Sequence, residues 1–192
     1  MDWITFFSAW GAFFYLLIKL LFLQKEIVVD EKVSDKWRIW SWVAYLIGVG
    51  AWLVKFYLTG RWIALTVEAF GVPAMVLGLL NALKGSQDKK YKWLDRIALI
   101  AVVIATIISL YLARSLEFTH ILELGIAVGF FVGVYLLAKD RPYGYLWFVL
   151  MNLSNVWLQY IDQEPLLMWQ QVVSAVVVGL AYIINRRRQE GR

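Results

Sequence analysis

Apolar residues run along this chain in long blocks separated by short polar punctuation. Seven blocks stand out, over roughly residues 3–23, 38–58, 61–83, 94–113, 118–138, 143–161 and 165–185. A helix crossing the hydrocarbon of a bilayer needs about 20 mostly apolar residues. The pattern therefore predicts an all-α integral membrane protein of seven transmembrane helices, with residues 1–192 forming a single transmembrane domain and 186–192 a basic tail. The first block has no basic segment before it and no small-residue cleavage site after it, so it reads as a retained helix. The longest polar connection expected is 24–37, a charged loop or short surface helix, and the almost purely aliphatic fourth block reads as a connector.

The sixth block departs from the others. Over YLWFVLMNLSNVWLQYIDQEPLLMWQQ, residues Tyr145, Phe148, Asn152, Asn155 and Gln159 recur at spacings of 3, 4, 3 and 4, one face of an α-helix. An amide facing hydrocarbon costs several kcal/mol, so this face should meet protein, water or a ligand. Gln170 and Gln171 follow on the next helix, and Gln171 is the better candidate because Ser174 extends its face. Together these side chains predict a cradle for a flat, polar, uncharged molecule. A plainer reading of the amides is interhelical hydrogen bonding worth about 0.5–2 kcal/mol each.

Other polar residues add candidates. Glu68 is the acid set well inside an apolar block of the first half, and an ionisable group at that depth is a functional candidate by default. Trp40 and Trp169 are the tryptophans expected near substrate, whereas Trp42, Trp52, Trp147 and Trp157 read as interfacial anchors. Lys19 lies near one end of the first block, where it can snorkel. Glu117, His120 and Glu123 share a face at the start of the fifth block and read as a hydrated entrance, with a proton relay as the sharper alternative. Gly125, Gly129 and Gly133 on the same block permit close helix packing.

The chain also resembles itself. Trp42 and Trp52 are ten residues apart, as are Trp147 and Trp157, each pair preceding a short turn. This register pairs Trp40 with Tyr145, Val43 with Phe148, Ile47 with Asn152 and Gly50 with Asn155. Two residues are then lost in the second turn, so that Glu68 meets Gln171 and Gly71 meets Ser174. Residues 1–83 and 118–185 thus read as two parallel three-helix repeats joined by a linker helix at 94–113, a 3+1+3 plan of the kind secondary transporters use.

Composition sharpens this picture. Hydrophobic residues make up 61% of the chain and aromatics 17%, at a mean hydropathy of +0.65, more apolar surface than a soluble core of this size can bury. With no cysteine and one histidine, disulfides, thiolate metal sites and most zinc sites are excluded, and no cofactor is expected. No nucleophile triad, phosphate loop or acid cluster suggests an enzyme. Of the basic residues in connections and tail, fourteen fall on one side of an alternating seven-helix plan and two, Arg61 and Arg114, on the other. By the positive-inside rule this places the N-terminus outside and the C-terminus in the cytoplasm, in a cytoplasmic (inner or plasma) membrane. The basic residues thus report topology, and no nucleic-acid partner is expected.

A tryptophan-rich 3+1+3 membrane protein with Asn in the sixth helix and Gln early in the seventh resembles the PnuC-type vitamin transporters. Where that family shows two Trp and then Asn on helix 6, this chain has Tyr145, Phe148 and Asn152. The resemblance implies facilitated diffusion of nicotinamide riboside or a related vitamin (thiamine or riboflavin), trapping by a cytoplasmic kinase, and a homotrimer. The substrate-binding residues expected are Trp40, Glu68, Tyr145, Phe148, Asn152, Asn155, Trp169, Gln171 and Ser174. Two alternatives stay open: a sugar carrier of the SWEET or PQ-loop type, disfavoured because no Pro-Gln pair occurs, and a non-transporting membrane scaffold.

Overall fold

The computed structural model describes residues 3–84, 91–112 and 118–190. These form seven α-helices in chain order: α1 (Trp3–Ile27), α2 (Glu31–Leu58), α3 (Trp62–Lys84), α4 (Lys92–Leu112), α5 (Phe118–Ala138), α6 (Tyr143–Ile161) and α7 (Pro165–Glu190). Among the described residues, six of them are long and apolar enough to cross a membrane. The exception is α6, the helix that carries the amides, so the expectation of seven apolar spans is met by six.

The helices overrun the apolar blocks. The expected connection at 24–37 shrinks to residues 28–30, because α1 continues to Ile27 and α2 begins at Glu31. Asp30 caps α2, its carboxylate accepting from the backbone N–H groups of Lys32 (2.8 Å) and Val33 (3.3 Å). A charged segment in water keeps helical geometry when its first orphan donors are satisfied in this way.

Helix neighbours close a ring. α1 packs on α2, α2 on α3, α3 on α5, α5 on α6, α6 on α7 and α7 on α1, while α4 packs on α3 and α5. α1 and α7 run side by side in the same direction. Gln170 meets Ala12 near one end, and Asn185 meets Glu26 and Arg188 meets Val28 near the other, at sequence separations of 158, 159 and 160. α4 turns Ala98, Ala101 and Ala105 to its neighbours and leaves Ile97, Ile100, Ile104 and Ile107 exposed. Large aliphatics outward and small residues inward is the reverse of a water-soluble helix, and the pattern that a lipid solvent permits.

α5 and α6 approach through the glycine stripe. A Cβ on Gly129 would lie 2.7 Å from the Trp147 carbonyl oxygen, and one on Gly133 would lie 2.6 Å from the Phe148 ring. These contacts press α6 inward and fix where Phe148 and Asn152 point.

α2 and α6 bury comparable positions. α2 buries Ser41, Trp42, Ala44, Tyr45, Gly48, Val49 and Ala51, and α6 buries Gly144, Tyr145, Phe148, Met151, Asn152 and Ser154, the same spacings except at Ala44, whose counterpart Trp147 is half-buried. The turns after them also match: Thr59 bonds Lys55, Gly60 bonds Tyr57 and Arg61 bonds Phe56, as Asp162 bonds Leu158, Gln163 bonds Tyr160 and Glu164 bonds Gln159. Gly60 (φ 66°) and Gln163 (φ 57°) take the same left-handed step. No residues are lost in the second turn, and the matching runs two residues away from the tryptophan-pair register. Trp42 corresponds to Tyr145, Tyr45 to Phe148 and Val49 to Asn152, so the face of α2 that points inward is Trp42, Tyr45 and Val49. The stripe Trp40, Ile47 and Gly50 faces outward.

Candidate functional site

The interior of the helix ring holds a polar centre. Tyr15 on α1 is buried and donates its hydroxyl to Oδ1 of Asn152 on α6 at 2.9 Å, with Sδ of Met151 at 3.6 Å. One turn along α1, Lys19 is 0% exposed. Its ammonium sits 3.8 Å from the Phe148 ring centre, 4.4 Å from that of Tyr15 and 5.7 Å from that of Tyr45. Such cation–π distances offset part of the lost hydration. Beside this cage a cavity of about 10 Å³ is lined by Tyr15, Ile18, Tyr45, Gly48, Val49, Trp52 and Glu68. That volume admits about one water molecule.

Several polar atoms here lack a hydrogen-bond partner among the described residues. They are Lys19 Nζ, Tyr45 OH, Asn152 Nδ2, Gln171 Oε1 and Ser174 Oγ, all on buried residues. A buried polar group left unpaired costs about 1–3 kcal/mol, and a charged one more. Lys19, Tyr45 and Asn152 gather around Tyr15 and Phe148, and Gln171 and Ser174 are buried on α7.

At the end of the bundle that holds the α1–α2 and α5–α6 connections lies a wider opening of about 280 Å³, lined by charged residues of α1, α2 and α7 and by Asp140. Its ion pairs form a chain: Lys25 to Asp140 at 2.7 Å, Asp140 to Arg38 at 3.3 Å and Arg38 to Asp35 at 3.1 Å. Burial works to raise the Asp140 carboxyl, but Lys25 and Arg38 outweigh it and hold the group below the usual carboxylate range. Glu26, 3% exposed, closes the inner wall by accepting from the Tyr145 hydroxyl (2.8 Å) and from Asn185 (2.7 Å).

Of the residues singled out from sequence, Phe148, Asn152, Gln171 and Ser174 all lie buried toward this interior, and Glu68 lines its cavity. Tyr145 is buried lower down, held edge-on by Phe22 and tied to Glu26. Asn155 is half-buried and accepts from Gln159 on its own helix at 3.1 Å. Gln170 donates to the Ala12 carbonyl, which glues α7 to α1, while the adjacent Gln171 points inward.

Four expectations are corrected. Trp40 and Trp169 are 61% and 62% exposed and stand outside the ring, because their helices turn Trp42 and Gln171 inward instead. Trp42, expected as an interfacial anchor, is 1% exposed and packs against Phe22 and Tyr45. Lys19 does not snorkel, since the helix continues two turns beyond it. The Phe148 face expected to stack on a solute is covered by the Lys19 ammonium. Glu117, Arg114, Lys89 and Lys90 lie outside the described residues. His120 is half-buried at the start of α5, and Glu123 keeps one buried oxygen without a partner.

Tyr15 and Tyr45 are interior residues that the sequence reading passed over, and Lys19 is one it placed at the membrane edge. The signal was present: Tyr15, Lys19, Phe22 and Glu26 repeat at spacings of 4, 3 and 4, the same kind of stripe as on α6. Compared with family models, curated proteins and solved structures, the chain matches none of them.

Proposed function

We propose that the chain is a multi-pass membrane carrier that passes a small polar solute through the interior of its helix ring. The observation that carries this reading is the buried centre of unpaired polar groups drawn from α1, α2, α6 and α7. Polar atoms kept unpaired at that depth have little purpose as glue, since glue consists of bonds already made.

Three features support the 3+1+3 plan of two parallel repeats. Each packing contact of α1–α2–α3 has its counterpart in α5–α6–α7, the two closing contacts (α3 on α5, α7 on α1) correspond, and α4 lies outside the ring. The matching burial of α2 and α6 and the matching turn bonds point the same way. In this reading α6 is the seventh span, its amides sheltered from lipid by α5 and α7. The end that gathers Lys25, Arg38, Lys139, Arg141 and Arg186 to Arg188 faces the cytoplasm. By the resemblance to PnuC-type carriers, the solute is a vitamin or nucleoside-like molecule entering by facilitated diffusion, with kinase trapping behind it and a trimeric assembly.

The test is uptake into vesicles carrying the purified protein, using labelled nicotinamide riboside, thiamine, riboflavin, nucleosides and sugars. Asn152→Leu and Gln171→Leu should abolish uptake of the transported solute while leaving the protein folded. Uptake indifferent to both substitutions would refute the interior route. Loss of all uptake on collapsing ion gradients would refute uniport.

A further inference from the structure

We infer that the interior centre recognises a carboxylate through Lys19, and that the solute it takes is a small monocarboxylate rather than a cation. The inference rests on the carrier reading and narrows its substrate class.

Counting hydrogen-bonding capacity decides the sign. Asn152 Oδ1 is used by the Tyr15 hydroxyl, which leaves the Asn152 amide facing the interior with Nδ2, a group that only donates. Lys19 Nζ also only donates, and it has no partner. Tyr45 OH and Ser174 Oγ can donate as well, and among these five atoms Gln171 Oε1 alone must accept. A donor-rich centre that includes a buried ammonium is completed by acceptor oxygens bearing negative charge. Glu68 borders the neighbouring cavity and its charge acts on Lys19 from there, but it makes no hydrogen bond to the ammonium, so the donors of Lys19 stay open.

The aromatic cage supplies the second half of the site. Lys19 rests on Phe148 and Tyr15, whose ring faces an incoming solute would otherwise use. Drawing the ammonium onto a carboxylate frees those faces for the apolar body of the same solute. With about 10 Å³ of open volume, the present arrangement is closed, and this exchange is what opens a seat. A cation would meet the ammonium instead, which disfavours nicotinamide riboside and thiamine, the first choices by resemblance.

The experiment is thermal stabilisation of the full-length protein in detergent by matched probes: acetate, benzoate and nicotinate, their neutral amides, and the cations thiamine and nicotinamide riboside. A carboxylate should raise the unfolding temperature where its amide does not. Lys19→Met should weaken that carboxylate about tenfold to hundredfold, the loss expected for a buried charge-assisted hydrogen bond. Lys19→Arg should keep part of the effect, and the unfolding transition of each variant without probe reports its fold. Stabilisation by an amide or a cation, retained in Lys19→Met, overturns the carboxylate inference and leaves the carrier reading standing. No stabilisation by any probe, together with no vesicle uptake, overturns both.

Discussion

Replacing Lys19 by methionine should make the protein more stable. The side chain is 0% exposed and its ammonium has no hydrogen-bond acceptor. Removing an ammonium from water costs several kcal/mol even after relaxation of the surroundings. Against this stand two close ring contacts, at 3.8 and 4.4 Å, one distant one at 5.7 Å, and the attraction of Glu68 across the neighbouring cavity. At about 0.5–2 kcal/mol each the two close contacts return roughly 1–4 kcal/mol, so the buried charge remains a net cost of about 1–3 kcal/mol. Methionine has nearly the same length, needs no hydration and makes favourable sulfur–aromatic contacts with the same rings. Lys19→Met should therefore gain about 1–3 kcal/mol, read as an upward shift of several degrees in the thermal transition followed by tryptophan fluorescence.

Lys19→Ala separates charge from volume. It removes the same charge but leaves the rings around Lys19 facing a void, and cavity costs of about 2–5 kcal/mol for comparable truncations should cancel or reverse the gain. A Lys19→Met protein that melts lower than wild type would refute the reasoning. So would a gain that appears only when Glu68→Gln is also present, because attraction to Glu68 would then be what holds Lys19 in place.

Two further outcomes follow from packing and from charge. Gly129→Ala should destabilise by about 1–3 kcal/mol, since its Cβ would meet the Trp147 backbone carbonyl at 2.7 Å. Gly50→Ala meets nothing within 4 Å and should gain about 0.5–1 kcal/mol from helix propensity; equal thermal shifts for the two would contradict the α5–α6 interface. The Asp140 carboxyl is held below its ordinary value by Lys25 and Arg38, so its contribution is complete above the unfolded value near 3.8 and fades as pH falls through the lower folded one. Asp140→Asn should accordingly be less stable than wild type at neutral pH, with the gap in unfolding temperature closing below about pH 4. A gap that holds constant or widens on acidification would refute the ion-pair account.

Helix number, order and approximate limits were legible because lipid-length apolar blocks leave few alternatives. The limits failed where helices continue past hydrocarbon: α1 reaches Ile27 and α7 reaches Glu190, through charged segments that hydropathy treats as loop. That error propagated to Lys19. Set near the end of an apolar block it looked free to reach water, whereas two more turns of helix and the charged opening around Lys25 and Glu26 lie beyond it. The tryptophan pairs misled in a related way. Trp42 and Trp147 are conspicuous, but inward position is set by which face meets the neighbouring helix, and Trp42 matches Tyr145 rather than Trp147 in burial.

The inward turn of Asn152 was legible because an amide in lipid must face away from it. Asn152 in lipid is so costly that its spacing alone says which face must turn inward, and the glycine stripe of α5 says which helix presses it there. Periodicity cannot say which residue waits on the other side. Tyr15 consumes the Asn152 oxygen, and Lys19 covers the Phe148 ring, so two residues from α1 convert a neutral, ring-stacking cradle into a donor-rich one that holds a lysine beside Glu68. The amides on α6 mark where the centre lies. On the carboxylate proposal the selecting charge comes from α1, and only the closure of the ring brings the two together.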